Sequence, residues 1–185
     1  MDIIEKNLLK EITGIENTEF NGAYNIRKNG QGVKRQITEN INIVTKKDVS
    51  GIDIYVKENT KFELVHIPVI ITESGISDVV YNDFYIGENA KVTIIAGCGI
   101  HNDHHEDSQH DGIHRFFLEE GAKVKYIEKH YGDGNGKGKR ILNPVTEVYL
   151  KDGSSLNMDS VQIKGVDSTI RTTRGEVEAN TSLVV

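Results

Sequence analysis

The feature that most constrains the fold is one register of residues repeated along the chain. Segments 55–64 (YVKENTKFEL), 85–94 (YIGENAKVTI), 117–126 (FLEEGAKVKY) and 149–158 (YLKDGSSLNM) share a pattern. Each has an aromatic residue, an aliphatic anchor, a polar turn, then a small residue and two larger ones at alternate positions. Segment 176–185 (EVEANTSLVV) repeats it without the aromatic. The anchors are Val56, Ile86, Leu118, Leu150 and Val177, spaced by 30, 32, 32 and 27 residues. Four residues after each stand Thr60, Ala90, Ala122, Ser154 and Thr181; six after stand Phe62, Val92, Val124, Leu156 and Leu183. Eight after stand Leu64, Ile94, Tyr126, Met158 and Val185. A long, nearly constant period marks a stacked-repeat architecture. An apolar period of two rather than 3.6 points to strands rather than helices. The expectation is an all-β chain, a β-solenoid whose like positions stack at about 4.8 Å. An antiparallel sandwich or barrel is the alternative, but it rarely holds one register at so long a period.

The chain divides into an N-terminal helix and loop region, residues 1–40, and the β-solenoid core that holds the repeats, residues 41–185. A short amphipathic helix is expected over 2–12, capped by Asp2, with Ile4, Leu8 and Ile12 on one face and Gly14 ending it. Residues 20–40 read as loops or short edge strands. There Lys28, Lys34 and Arg35 form either a solvated turn or an anion or partner site. A net charge of −6 argues against a nucleic-acid partner. No apolar run reaches the roughly 18 residues of a membrane-spanning helix, and the acidic N-terminus lacks the apolar core of a secretory signal. A single cysteine excludes an internal disulfide and fits a reducing cytoplasm. The last repeat stops on an apolar strand at 181–185, which is expected of a chain truncated at its C-terminal end whose open edge pairs with another chain.

Chemistry concentrates between Ala96 and His114. This stretch holds Cys98, the only cysteine, and His101, His104, His105, His110 and His114, with Asp103, Glu106, Asp107 and Asp111 between them. Thiolate, imidazole and carboxylate are the side chains that bind transition metals, so Cys98, His101, His104, His105 and His110 are the expected metal ligands. His114, at a strand start, reads as structural. Gly97 and Gly99 are expected to turn the backbone and expose the thiol; the alternative is a buried cysteine in a corner. The run GDGNGKGKR (132–140) lacks the hydroxyl residue of a P-loop, so it reads as a flexible hairpin and no nucleotide is expected on this chain. Neither a zincin pattern nor a nucleophile elbow occurs. A carbohydrate-acting solenoid would need acids such as Asp78, Asp83, Asp103 and Asp111 aligned on one face. A metal-binding structural repeat protein is the other alternative.

At several motifs the chain resembles the SufB/SufD family of iron–sulfur cluster assembly proteins, in its short form. The residues are NIRKNG (25–30), HIPVIIT (66–72), DVVYNDFYIG (78–87), AGCGIHND (96–103), HDGIHRFF (110–117), KVKYIEKHYGDG (123–134), ILNPVTEVYL (141–150) and VQIKGVDST (161–169). The likeness lies in their order and runs from about residue 20 onward. It implies a right-handed parallel β-helix and a cytoplasmic scaffold rather than an enzyme. It also implies a homodimer or SufB/SufD-type heterodimer formed through β-helix edges, and a SufC-type ABC ATPase as the partner that binds ATP. Cys98 falls where SufB-type scaffolds carry a cysteine, so the resemblance makes it the residue that receives sulfur, or that touches iron or a transient iron–sulfur cluster. The family's C-terminal cluster ligands and its SufC-binding helices have no counterpart before Val185.

Overall fold

The computed structural model describes residues 1–16 and 19–185. Among them, helix α1 (Ile3–Thr13) precedes fourteen strands. These are β1 (Ala23–Lys28), β2 (Gln31–Gln36), β3 (Ile41–Thr45), β4 (Gly51–Val56), β5 (Lys61–Ile71), β6 (Ser77–Ile86) and β7 (Lys91–His101), then β8 (Ser108–Leu118), β9 (Lys123–Asp133), β10 (Arg140–Leu142), β11 (Val145–Leu150), β12 (Ser155–Lys164), β13 (Thr172–Val177) and β14 (Ser182–Val184). In one sheet β4, β6, β8, β11 and β13 run parallel, with β3 antiparallel beside β4. In the other β5, β7, β9, β12 and β14 run parallel. The chain alternates between the two sheets, so each coil of a parallel β-solenoid is one strand from each. β1 pairs parallel with β5 and β2 folds back on β1, so the N-terminal region continues the second sheet.

The repeat is the register of this stack. Val56 lies beside Ile86, Ile86 beside Leu118, Leu118 beside Leu150 and Leu150 beside Val177. Val92, Val124, Leu156 and Leu183 align likewise across β7, β9, β12 and β14. The polar turn between anchor and small residue bends left-handed at one position in each coil: Asn59, Asn89, Gly121, Gly153 and Asn180 all have φ between 55 and 67°. Only Gly and Asn enter that region readily, which is why they recur there. The small residue that follows is buried in the corner in the first four coils, and the Thr60, Ser154 and Thr181 hydroxyls donate back to the Lys57, Lys151 and Glu178 carbonyls.

The first coil breaks the pattern. Phe62, which the repeat aligns with the buried Val92, Val124 and Leu156, is 81% exposed with φ 60°, and a bulge there shifts the register so that Val65, not Leu64, pairs with Ile94. The extra residue turns Phe62 outward.

Helix α1 is closed by a capping box between Asp2 and Glu5 and ends at Gly14 in the left-handed conformation. Its buried face is Leu8, Leu9 and Ile12; Ile4 is exposed. It packs on the outer face of the second sheet, over Gly97 and Gly99. A Cβ on Gly97 would sit 2.8 Å from Ile12 Cβ, and one on Gly99 3.2 Å from Leu8 Cβ. These glycines therefore seat a helix, in mid-strand, rather than turn the chain and expose the neighbouring thiol.

The GDGNGKGKR run is not a hairpin. It forms a corner stacked on residues 102–107 of the previous coil, with Gly136 N–H donating to Asn102 O and Gly138 N–H to His104 O. Asp103 and Asp107 side chains accept from Asn135 and Lys139 N–H, 32 residues on. A side chain at Gly136 or Gly138 would strike that backbone at 2.0–2.3 Å.

Candidate functional site

Side chains alternate across each strand, so even positions of β6, β8 and β9 point inward. Toward the corner that joins β8 to β9 the interior is apolar, built from Phe84, Phe116, Val92, Val124 and Leu156. Farther along the same strands it becomes polar. Asp78 pairs in register with His110, Asn82 with His114, and Cys98 with His130. Each pair stacks one coil on the next.

Two hydrogen-bonded groups form there. In the first, Arg27 Nε and Nη2 donate to Asp78 at 2.8 and 2.6 Å, and His110 Nδ1 lies 3.2 Å from the same carboxylate. Burial pushes the Asp78 carboxyl up, but the Arg27 and His110 contacts outweigh it and hold it well below the usual carboxylate range. In the second, Tyr126 Oη lies 2.5 Å from His114 Nδ1 and donates to Glu128 at 3.1 Å. Glu128 is ion-paired with Arg171, and His130 Nε2 lies 3.7 Å away. Burial pushes Glu128 up, and His130, His114 and Arg171 together bring it far below its ordinary value. Burial drives His114 down to about 4, so it is neutral at neutral pH.

Cys98 faces this polar region. It shares a cavity of about 20 Å³ with His110, His114, His130, Glu128 and Asn82, room for a single water-sized group. Its side chain is 3% exposed, and its apolar neighbours are Val69, Ile71, Ile100 and Leu142. Burial pushes the thiol well above its usual range, and the Asp78 and Glu128 charges push the same way. The thiol is thus protonated at rest, with the His130 imidazole on the neighbouring strand β9 and those of His110 and His114 on β8 of the other sheet. Such a set can take up a soft atom at sulfur once a base removes the proton.

Of the five expected ligands, the fold brings two together. Cys98 and His110 open onto one cavity. His101, three residues beyond Cys98 on the same strand, points to the opposite side, 2.9 Å from Asp103. His104 and His105 are exposed in the turn. Among the described residues, no three His, Cys, Asp or Glu side chains converge as metal ligands. The acids of the carbohydrate alternative also part company: Asp78 is inside, Asp83 is outside under Arg115 and Lys46, and Asp103 is in the turn.

His130, Glu128 and Tyr126 were not among the expected site residues. The signal for them was the repeat itself, because 32 residues separate Cys98 from His130 and Asp78 from His110, the same offset as the anchors.

No family model, curated protein or solved structure matches the chain.

Proposed function

We propose that this chain is a scaffold subunit of iron–sulfur cluster assembly of the SufB/SufD type. In this reading Cys98 takes up sulfur inside the solenoid, and the nascent cluster or iron is cargo rather than a resident cofactor. ATP is hydrolysed by a SufC-type partner, and the chain pairs with a second SufB/SufD-type subunit through β-helix edges, in the cytoplasm. The observation that carries the reading is that the only thiol of the chain faces inward onto a cavity it shares with His110, His130 and Glu128. The order of motifs along the parallel solenoid supports it.

His110 and His130 are the nearby nitrogen donors in this arrangement, in place of His101, His104 and His105. The test is anaerobic reconstitution with iron and sulfide, wild type beside Cys98→Ser, followed by absorbance in the thiolate-to-iron charge-transfer region. Absorbance in wild type that is lost in Cys98→Ser is the expected result. Equal absorbance in both removes Cys98 from the site.

A further inference from the structure

A second cavity system lies at the N-terminal end of the solenoid. Between the β1–β2 hairpin and the β3–β4 hairpin is a cleft of about 580 Å³. Its charged lining residues are Arg27, Lys34, Arg35 and Lys46, and none of its lining residues is acidic. This stands against a chain whose net charge is −6. Two of these cations are neutralised, Arg27 by Asp78 and Lys46 by Asp53 and Asp83. Arg35 is not. Its guanidinium donates to Asn25 Oδ1 at 3.0 Å, the Ile43 carbonyl at 3.3 Å and Thr45 Oγ1 at 2.8 Å, all neutral acceptors. These bonds fix the group between β1 and β3 and leave its full charge facing the cleft. A cleft lined by one sign of charge concentrates ions of the other.

A smaller cavity of about 20 Å³ adjoins the cleft on its inner side, and Asn25, Arg27, Gly51 and Ile52 line both. That neck in turn shares Ile67, Val69 and Asn82 with the cavity of Cys98. Open cleft, neck and thiol chamber thus succeed one another along the solenoid axis.

We infer that this cleft is an inlet for small anions, with Arg35 as the fixed cation that gathers them and the Asn25–Asn82 neck as the passage to Cys98. The anion class is small and unbranched, with a single-atom cross-section such as a polysulfide chain; the resting neck holds one water-sized group, so passage requires its side chains to move. That sulfur is the anion delivered rests on the reading of Cys98 above; the inlet does not.

Because Cys98 is the only cysteine, its alkylation is read directly by intact mass. Iodoacetate and iodoacetamide are near-isosteric and differ in charge, so side-chain motion at the neck affects both alike. Both alkylate the thiolate with loss of iodide. In the native protein the iodoacetate-to-iodoacetamide rate ratio is expected to exceed that of the urea-unfolded chain by roughly fivefold or more, in the range of electrostatic steering. It should collapse in Arg35→Glu, fall partway in Arg35→Gln, and drop in high salt or with added sulfate. Gly32→Trp, at a cleft position where a Cβ meets nothing within 4 Å, should slow both reagents. A ratio unchanged by Arg35→Glu and by salt, or no labelling of the native protein, overturns the inlet. Charge-dependent labelling without any sulfur uptake at Cys98 would instead keep the inlet and sink the sulfur role.

Discussion

At the C-terminal ends of β6 and β8 the solenoid interior is Phe84 stacked on Phe116 at 4.5 Å, with Tyr126 edge-on at 5.0 Å. A few residues earlier on the same two strands it is Asp78 and Asn82 beside His110 and His114. Both regions are buried, and both use the same 32-residue register. The aromatic half gains free energy from burial alone. The polar half places charge where water is excluded, so every group there needs a partner, and most have one. Tyr126 joins the two, with its ring in the apolar stack and its hydroxyl between His114 and Glu128. A solenoid needs only the first kind of interior to fold. The second kind is the part of the molecule that stability alone does not explain.

The largest way to sharpen that contrast is Phe116→Ala. It removes a fully buried ring from the apolar stack and should cost about 3–5 kcal/mol in urea unfolding. A loss below about 1 kcal/mol would mean that the stack is not the core.

Acid comes next. His114 is held at about 4 against an ordinary 6.5, so the unfolded chain binds the proton more readily than the native one. Stability should be full above pH 6.5 and fall as the pH drops toward 4, by roughly 3 kcal/mol at most for this group. Asp78 and Glu128, both depressed in the fold, add losses below the ordinary carboxylate range. His114→Gln should flatten the profile between pH 6.5 and 4. An unchanged slope would assign it to other groups.

Gly97→Ala tests the outer face. The added methyl meets Ile12 and should cost about 1–3 kcal/mol, with loss of α1 protection in hydrogen exchange. Smallest should be Tyr85→Ala in the outer ladder of Tyr55, Tyr85, Phe117 and Tyr149, whose rings stack 4.9–5.1 Å apart at the surface. A loss of about 0.5–1.5 kcal/mol is expected there, since only ring stacking and partial burial go.

The solenoid was legible in the sequence because its coils copy one another. The anchors, the corner residues Ala90 and Ala122, and the left-handed Asn and Gly turns all follow from one offset. Phe62 was not legible, since a bulge depends on backbone pairing that composition does not carry. Density of ligand-type residues was a poorer guide to the site. It put His101, His104 and His105 beside Cys98 in sequence, but strand alternation and a turn carry them away. Stacking put His130 beside Cys98 across coils instead. Gly97 and Gly99 misled in the same way, since a glycine that seats a helix looks in sequence like one that turns the chain.

The most direct test of the account is native sulfur loading of Cys98. The protein would be treated anaerobically with polysulfide, so that the thiolate takes a terminal sulfur and a shortened polysulfide leaves, and then read by intact mass without reductant. The account predicts one added sulfur per folded chain in wild type, none in Cys98→Ser, and slower loading in Arg35→Glu. A folded wild-type protein that gains no sulfur, while its urea-unfolded form gains one, would contradict it.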